Sequence, residues 1–439
     1  MTAPTTTRLS APELARQQGV NPVDYLRSRG FVYDITDEEG LRAAFDGGPV
    51  TAYIGFDPTG TSLHAGHMVS IMLLATLQRM GHRPIALGGG GTAMVGDPTG
   101  KTSSREVITL EHLERNLGAI QQQLAKYLDY QGGQFGSNPA AVMVNNADWL
   151  LQLEYIPFLR DIGRHFSVNE MLTLDTYRTR LESGQGLNFV EFNYRLVQSY
   201  DFLHLFRTEG CVLQMGGSDQ WANITGGVEL IRRADGGKAF ALVSPLITTA
   251  SGEKMGKTGS GLRVWLDPVQ FSPYDYYQYW VNTEDAMVGT YLRQFTFLVE
   301  EEIAELTSVT GEALREAKQT LAWEATALAH GEGEADAARM ASRALFAGSG
   351  VVTADDPSLP TTDIAAVDLT DTFTVADAFV AADLARSRGE ARRLAQQGGL
   401  SIDDARVSDV DQPFAAVIGD RPAALLRAGK KRFKRVAVK

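Results

Sequence analysis

Two histidines, His64 and His67, stand three residues apart in the sequence HAGH, between an apolar, β-prone segment over 51–56 and a helical pattern that follows. Imidazole N–H groups and the free backbone N–H groups at the start of a helix both donate hydrogen bonds to an anion. Gly66 has no side chain, so a ligand can approach the backbone closely. We therefore predict an anion-binding site here. The alternatives are a polar helix start or a metal site, although no cysteine or acidic ligand cluster lies nearby.

Two lysines, Lys254 and Lys257, lie in the sequence KMGKT, within a segment rich in Gly, Ser and Thr. Such residues favour a loop, and two cations on a loop can bind a polyphosphate whose negative charge grows during a reaction. The alternative is a solvated basic loop without a ligand. Together with the two histidines, these lysines predict chemistry on a phosphorylated substrate.

A polar stripe follows one face of the helix predicted over residues 188–206. Tyr194, Gln198 and Asp201 lie at positions i, i+4 and i+7, which share a face because about 3.6 residues complete a helical turn. Apolar residues at this spacing would indicate a core, whereas buried polar groups need hydrogen-bond partners. We expect a small polar ligand to provide them.

Strand-like and helical segments alternate between residues 50 and 248, which predicts an α/β, doubly wound (Rossmann-type) parallel sheet. Ligands of such sheets bind at the carboxyl ends of the strands, and the polar segments described above follow predicted strands or lie on the next helix. The sequence GDPTGKT over residues 96–102 is similar to a phosphate-binding P-loop, but it has three residues between its glycines where that motif requires four. We therefore predict no P-loop.

Length and composition limit the class of protein. A chain of 439 residues is too long for one ordinary core and predicts roughly two to four domains. The single cysteine, Cys211, excludes a disulfide framework and is typical of a reducing cytosol. No run of about 18 apolar residues occurs, and the N-terminus lacks a basic-then-apolar signal pattern. We therefore expect no membrane span and a cytoplasmic location.

Charge is distributed unevenly along the chain, whose net charge is −12. Residues 386–439 hold 13 Lys and Arg against 6 Asp and Glu, which leaves −19 for the remainder. A small basic unit on an acidic body predicts polyanion binding, and a solvated basic tail is the alternative. The predicted segments are a sheet domain over 1–248, the KMGKT loop with a helical domain over 249–346, a linker over 347–370 and a small basic unit over 371–439.

In this order, HAGH and KMGKT resemble the HIGH and KMSKS motifs of the class I aminoacyl-tRNA synthetases. Ala65 replaces Ile in the first motif, and Gly256 and Thr258 replace the two Ser of the second, so every charge and imidazole is retained. The resemblance narrows to the bacterial-type tyrosyl-tRNA synthetases over roughly residues 31–346, and the end of the chain resembles a small α+β RNA-binding module named after a ribosomal small-subunit protein. The narrower resemblance is carried by YIGFDPTGTSLHAGH, VGDPTGK, NNADW, the Tyr/Gln/Asp helix and GGSDQWANI.

This resemblance implies a two-step reaction. ATP activates tyrosine as tyrosyl-adenylate with release of pyrophosphate, and the tyrosyl group then passes to the terminal adenosine of tRNA(Tyr). Mg²⁺ would accompany ATP, held mainly by phosphates and water, without a dedicated metal site in the protein. The resemblance also implies a homodimer with an interface over residues 155–200, a helical domain that faces the anticodon, and a C-terminal module that holds the tRNA elbow or long variable arm.

The resemblance also assigns roles to individual residues. Since phenylalanine lacks the phenol hydroxyl that Tyr53 and Asp201 would bind, we expect it to leave the buried Asp201 without a partner. The implied catalytic residues are His64, His67, Thr59, Lys254, Lys257 and Thr258. The implied ATP-binding residues are Gly55, Asp57, His64, Gly66, His67, Gly217, Asp219, Lys254, Met255 and Lys257. The implied tyrosine-binding residues are Tyr53, Asp97, Tyr194, Gln198, Asp201 and Gln220.

Three alternatives stay open at this stage. Tryptophanyl-tRNA synthetases share the fold and both motifs, but the pair of Tyr53 and Asp201 and the RNA-binding module argue against them. A nucleotidyltransferase that uses HxGH to attach a nucleotide to another small acid would not need the RNA-binding module. A non-catalytic RNA-binding relative would not need intact HAGH and KMGKT sequences.

Overall fold

The computed structural model describes residues 9–97, 109–182, 184, 187–248, 255–256, 258, 261–346, 354, 359, 361–429 and 432–439. Within these residues, the first part of the chain forms a six-stranded sheet. Its strands are β1 (Asp34–Ile35), β2 (Thr51–Phe56), β3 (Arg83–Gly88), β4 (Val142–Asn145), β5 (Cys211–Gly217) and β6 (Phe240–Ser244). The strand order is β1-β6-β5-β2-β3-β4, in which β1 pairs antiparallel with β6 and the other neighbouring pairs are parallel.

Both faces of this sheet are buried. In β2, Ala52, Ile54 and Phe56 belong to the largest core cluster. Tyr53 points to the opposite face and packs against Phe202, with ring centroids 5.4 Å apart. Burial on both faces explains why the strand reads as a nearly continuous apolar run, as is typical of a parallel sheet. The predicted α/β, doubly wound fold is confirmed.

Helices connect the strands and cover both faces of the sheet. They are α1 (Ala11–Gln17), α2 (Pro22–Ser28), α3 (Glu38–Asp46), α4 (Met68–Arg79), α5 (Gly90–Val95), α6 (Leu110–Leu124), α7 (Ala147–Leu150), α8 (Tyr155–Asp161), α9 (Val168–Thr173), α10 (Asp175–Glu182), α11 (Phe189–Glu209) and α12 (Trp221–Asp235). The side chain of Asn188 caps α11 by accepting a hydrogen bond from the Glu191 N–H at 2.8 Å. Gly210 ends this helix with φ of 61°, a conformation that favours glycine.

A second group of helices follows the KMGKT segment. These helices are α13 (Pro273–Val281), α14 (Val288–Phe295), α15 (Glu300–Thr307), α16 (Arg315–His330) and α17 (Glu332–Phe346). The aromatic run of α13 is largely buried, and Trp280 packs against Phe295 with ring centroids 5.0 Å apart. The residues of this run therefore form the core of the helical part.

The end of the chain folds as a small α+β unit. It contains α18 (Val375–Ala381), α19 (Arg388–Gln396) and α20 (Phe414–Ile418) beside β7 (Thr361–Ile364), β8 (Leu400–Ile402), β9 (Ala405–Arg406), β10 (Ala423–Ala428) and β11 (Arg432–Val438). The strand order is β7-β11-β10-β8-β9, with β7 parallel to β11. Since β7 lies within the segment 347–370 that the sequence predicted as a linker, the small unit begins before residue 371. A four-residue polar strand at a sheet edge carries too weak a pattern to be recognised in the sequence.

The sheet of the small unit is also buried on both faces. Val436 belongs to the unit's own core, whereas Phe433 and Leu425 belong to the large cluster that includes the helical part. Phe433 meets Tyr274 of α13 edge to face, with ring centroids 5.2 Å apart. In the part of the chain that the structure describes, no helix is long and apolar enough to span a membrane.

Candidate active site

A cavity of about 390 Å³ opens at the carboxyl ends of β2 and β5. From β2 the chain proceeds outward through β3 and β4 on one side, whereas β5 and β6 lie on the other, so the cavity lies at the point where the strand order reverses. The predicted residues that line the cavity are Tyr53, Gly55, Asp57, His64, Gly66, His67, Asp97, Tyr194, Gln198, Asp201, Gly217, Asp219, Gln220 and Met255.

The two histidines of HAGH lie side by side at one end of the cavity, with ring centroids 4.0 Å apart. The Nδ1 atom of His64 accepts a hydrogen bond from the Gly66 N–H at 3.1 Å. The Nδ1 atom of His67 accepts one from the His64 N–H, also at 3.1 Å. Because each ring uses Nδ1 as an acceptor, a neutral ring carries its proton on Nε2. Both rings can therefore donate one N–H to a ligand.

Burial keeps these histidines neutral. It lowers the pKa of His64 to about 3 and that of His67 to about 4. The positive charge of Arg263 lowers both values further. At neutral pH the two side chains are thus uncharged hydrogen-bond donors. They can stabilise a phosphate without adding a proton-transfer step.

The segment after KMGKT pairs with the segment before α4 through backbone hydrogen bonds. The Ala65 N–H donates to the Val264 carbonyl at 2.8 Å, and the Leu266 N–H donates to the Leu63 carbonyl at 2.9 Å. Two motifs that are far apart in the sequence are therefore joined by short main-chain contacts. Met255 and Gly256, the described residues of KMGK, therefore lie beside HAGH.

Gly66 is required by the close approach of the second motif. A Cβ atom at Gly66 would lie 3.2 Å from the carbonyl oxygen of Met255 and closer still to the ring of His64. Gly256, with φ of 123°, packs against the backbone of Gly66 on the other side of this contact. Side chains at these two glycines would separate the motifs.

The opposite end of the cavity is built from buried side chains. The Oδ2 atom of Asp201 accepts a hydrogen bond from Asn146 Nδ2 at 2.9 Å, and its Oδ1 atom accepts one from Trp149 Nε1 at 2.8 Å. The hydroxyl of Tyr53, a residue only 1% exposed, has no hydrogen-bond partner among the described residues. A buried hydroxyl without a partner is costly, which indicates that a ligand group completes this end.

The expectation that Asp201 would be unpaired without a substrate hydroxyl is wrong, because both of its oxygens have a protein partner. Burial nevertheless raises the pKa of Asp201 to about 7, although the hydrogen bonds from Asn146 and Trp149 oppose this shift. No cation pairs with this carboxylate within the described residues. It therefore titrates near neutral pH.

A chain of polar side chains lies along the cavity between the two ends. The Nε2 atom of Gln220 donates to the carboxylate of Asp97 at 2.9 Å. The Nδ2 atom of Asn223 donates in turn to Oε1 of Gln220 at 3.1 Å. These bonds fix the direction of the Asp97 carboxylate, which can receive a cationic group such as an α-ammonium.

Some predicted residues are not placed at the cavity. Thr59 lies on the exposed turn after β2 and is not part of the lining. The hydroxyl of Thr258 accepts a hydrogen bond from the Leu262 N–H at 3.1 Å and is likewise outside the lining. Lys254 and Lys257, as well as the second half of the rejected P-loop sequence, lie outside the described residues. The catalytic roles of Lys254, Lys257 and Thr258 stay predictions, whereas the exposed position of Thr59 predicts a small contribution at most.

Several residues that the sequence did not assign complete the site. Asn146 and Trp149 come from the NNADW sequence at the end of β4, whose position after a strand was the available signal. Gln214, on β5, is paired in register with Tyr53 and lines the cavity. Its Oε1 atom has no partner in the described part of the chain. A glutamine within an apolar strand was the signal that could have identified it.

No group of three or more His, Cys, Asp and Glu side chains within the described ranges is arranged to hold a metal ion. The four acidic residues of the lining, Asp57, Asp97, Asp201 and Asp219, do not form such a group.

Comparison with known proteins connects this geometry to a family. A family model described as tRNA synthetases class I (W and Y) matches residues 46–347. A tyrosine–tRNA ligase from Desulfosudis oleivorans is 49% identical over 434 residues, which is 95% of this chain and 99% of the relative. A tyrosine–tRNA ligase from Clostridium botulinum (strain 657) is 46% identical over 419 residues, which is 95% of this chain and 100% of the relative. The similarity therefore includes the small C-terminal unit.

A solved structure gives the same result for the first two parts. The C-terminally truncated mitochondrial tyrosyl-tRNA synthetase of Aspergillus nidulans superposes with a TM-score of 0.67 at 32% sequence identity. The superposition covers 76% of this chain and 97% of that chain. Both the sheet domain and the helices that follow it thus have counterparts of known structure.

Proposed function

This chain belongs to the class I tRNA synthetases of the tryptophan and tyrosine group, and we propose that it is a tyrosine–tRNA ligase with its active site in the cavity between β2 and β5. One observation supports this site above all others. A buried hydroxyl without a partner, that of Tyr53, and a buried carboxylate, that of Asp201, lie at one end of a cavity whose other end holds two neutral imidazoles. A phenol fits the first end, and a phosphate fits the second.

The first step needs no general base. The carboxylate of tyrosine is already ionised at neutral pH, so one of its oxygens can attack the α-phosphate of ATP directly. A new carboxyl–phosphorus bond forms while the bond from the α-phosphate to pyrophosphate breaks. The protein therefore contributes by positioning the two substrates and by stabilising the charge on phosphoryl oxygens.

The HAGH end would provide that stabilisation. His64 and His67 each offer an Nε2–H to phosphate oxygens, and the backbone around Gly66 allows a close approach. In the sequence, Lys254 and Lys257 lie eleven and eight residues before Trp265, which pairs with His64, so we expect these cations to reach the leaving pyrophosphate. Mg²⁺ would arrive with ATP and neutralise part of the phosphate charge.

Selection of tyrosine would rest on the opposite end. The phenol hydroxyl of the substrate can give Tyr53 the partner that its own hydroxyl lacks, and it can donate to the ionised Asp201. Phenylalanine would leave the Tyr53 hydroxyl buried without a partner, which is unfavourable. Asp97, Tyr194, Gln198 and Gln220 lie between the two ends, where the α-ammonium group would bind.

The test of this proposal is ATP–pyrophosphate exchange with each of the twenty amino acids in turn. We expect exchange with tyrosine, because only its phenol satisfies both Tyr53 and Asp201. Exchange with tryptophan instead would favour the other substrate of the same family. Folded protein that supports no exchange with any amino acid would overturn the proposal.

The second step would transfer the tyrosyl group to a ribose hydroxyl of the terminal adenosine, with the C-terminal unit holding the tRNA(Tyr). Three arginines of this unit, Arg386, Arg393 and Arg406, are exposed and form no ion pair with the described residues. Their neighbours Arg388 and Arg392, in contrast, pair with Asp377 and Asp411. Unpaired guanidinium groups are available to phosphates, and binding should weaken as salt increases.

Replacement of Arg386 and Arg393 by Glu tests this role. We expect the KM for tRNA to rise by about tenfold or more, because phosphate contacts are lost. For the same reason, the rate of tRNA charging should depend less on the salt concentration. Tyrosine-dependent exchange, which does not involve tRNA, serves as the control and should be unchanged. Unchanged charging would contradict the role.

We also propose that the active protein is a homodimer that works in the cytoplasm and that residues 155–200, on α8 to α11, contribute to its interface. Large apolar side chains are exposed there, among them Ile156 (68%) and Phe189 (65%). Exposed apolar groups that cluster on adjacent helices mark interaction sites. Ile156→Glu should shift the sedimentation coefficient to that of a monomer, whereas Val269→Glu, at an even more exposed position elsewhere, should not. A dimer that survives the first change would exclude this interface.

A further inference from the structure

The carboxylate that would receive the substrate phenol is held by two donors that are themselves held very differently. The side chain of Asn146 makes four hydrogen bonds, to the N–H groups of Gly91 (2.7 Å) and Thr92 (3.4 Å), to the Thr92 hydroxyl (3.0 Å) and to Asp201 (2.9 Å). Trp149 has one polar atom, Nε1, and its single hydrogen bond goes to Asp201. Hydrogen bonds therefore fix the orientation of Asn146 but cannot fix that of the indole.

Trp149 also lies on a short element. Its helix, α7, has four residues (Ala147–Leu150), which is too short for a stable helix on its own. The indole must nevertheless keep its N–H aimed at Asp201 over a distance of 2.8 Å, because a hydrogen bond weakens steeply when its angle departs from linear. Apolar packing against the cluster around Phe202 and Leu203 restrains the indole without direction, so a contact that depends on the ring plane has to supply the orientation.

That contact is a parallel ring stack with His204. The ring centroids of Trp149 and His204 are 4.3 Å apart, and the planes differ by 16°. His204 lies three residues after Asp201 on α11, so both side chains project from the same face of the helix. The indole thus lies along one helical turn, with its edge on Asp201 and its face on His204. A rotation of the indole away from Asp201 would break the stack.

His204 does not touch the cavity, and burial lowers its pKa, so it acts as a neutral ring at physiological pH. The groups around it are Tyr200 on the same helix, with ring centroids 6.3 Å apart, and the charges of Arg207 and Glu209. His204 can therefore influence the cavity by holding Trp149 in position.

We propose that His204 is a positioning residue that stacks on Trp149, holds the indole N–H on Asp201 and thereby sets the preference for tyrosine over phenylalanine. This inference rests on the proposed function of the cavity as a tyrosine site. The stack keeps one lone pair of Asp201 occupied and leaves the remaining acceptor capacity directed at the phenol. His204 is thus a determinant of substrate choice that has no contact with the substrate.

The test compares His204→Ala and His204→Phe in the full-length protein, with ATP–pyrophosphate exchange measured for tyrosine and for phenylalanine. We expect His204→Ala to raise the KM for tyrosine while its kcat stays within about twofold. The ratio of kcat/KM for tyrosine to kcat/KM for phenylalanine should fall by about fivefold to tenfold, which is the effect of losing one buried interaction. His204→Phe should restore both values, because it can stack without a titratable nitrogen. His112→Ala, at an exposed position on α6, is the matched control.

A double-mutant comparison separates positioning from a merely structural role. Trp149→Phe removes the N–H donor, so adding His204→Ala to it should cause no further loss of selectivity. Additive losses, or unchanged selectivity in His204→Ala, would overturn the inference. If His204→Ala does not fold, His204→Leu replaces it. Leu fills the same space but has no planar ring to stack on Trp149, so selectivity should fall in His204→Leu and not in His204→Phe. Wild-type protein without tyrosine-dependent exchange would instead contradict the proposed function itself.

Discussion

The two ends of the cavity are built by different means. At the tyrosine end, side chains from β2, α11 and the end of β4 form a buried hydrogen-bonded group around Asp201, which is 2% exposed. At the phosphate end, the donors are two imidazoles on a single turn and the backbone around Gly66, and the neighbouring motif is held there by main-chain hydrogen bonds. The first end is preorganised by packed side chains, and the second by close backbone approach.

This difference suggests a division of labour. A rigid buried group can distinguish substrates that differ by one hydroxyl, because the wrong substrate leaves a polar atom unsatisfied. Neutral donors at the phosphate end can respond to charge that develops only as pyrophosphate leaves. We therefore expect changes at one end to affect substrate choice and changes at the other to affect the rate.

The largest effect is expected at the phosphate end. His64→Ala removes an Nε2–H donor from the transferring phosphoryl group, so the rate of adenylate formation should fall by about 100-fold to 1,000-fold. The KM for tyrosine should stay within about twofold, since the tyrosine end is unchanged. Exchange kinetics over a range of tyrosine concentrations measure both values. A large rise in the KM for tyrosine would break the distinction between the ends.

A smaller effect is expected at the tyrosine end. Asp201→Ala leaves the N–H groups of Asn146 and Trp149 buried without their acceptor, and it removes a partner of the phenol. The ratio of kcat/KM values for tyrosine and phenylalanine should fall by about 10-fold to 100-fold. Competition experiments with both amino acids measure this ratio. If the ratio does not change, Asp201 does not bind the phenol.

The pH dependence of binding sharpens the comparison further. Burial raises the pKa of Asp201 to about 7, so its ionised fraction grows as the pH rises from 6 to 8. The ionised form accepts from the phenol, and the dissociation constant for tyrosine should therefore fall by up to about tenfold over this range. His64 and His67, with pKa values of about 3 and 4, do not titrate there. Equilibrium dialysis of Asp201→Asn should give a flat profile, and a flat profile in the wild type would contradict this assignment.

The smallest effect is expected at Thr59. The family resemblance assigns it to catalysis, but the structure places it on an exposed turn outside the cavity lining. Thr59→Ala should therefore change the rate of exchange by less than about threefold, as is usual for a surface position. A loss comparable to that of His64→Ala would show that the phosphate end extends over this turn when ATP is bound.

The sequence was sufficient for residues whose spacing follows a regular element. Tyr194, Gln198 and Asp201 share a face of α11 because helical periodicity requires it, and all three line the cavity. The parallel sheet placed HAGH at the end of β2 for a similar reason. Periodicity within one element therefore predicted much of the lining.

Contacts between distant elements could not be predicted in this way. Asn146 and Trp149 reach Asp201 across more than fifty residues, and no local pattern indicates which donors a buried carboxylate will find. The partners of Asp201 reversed the expectation that it would be unpaired. Strand β7 was missed because its pairing with β11 depends on a strand at the far end of the chain. Tertiary pairing, rather than local propensity, decides these features.

Single-turnover formation of tyrosyl-adenylate, followed over a range of tyrosine concentrations, most directly tests whether one end of the cavity sets substrate choice and the other sets the rate. For His64→Ala we predict a maximum rate lower by about 100-fold or more with an unchanged half-saturating tyrosine concentration. For Asp201→Asn we predict the opposite, a raised half-saturating concentration with a maximum rate close to that of the wild type. Two variants that change both parameters by the same factors would contradict the distinct roles of the two ends.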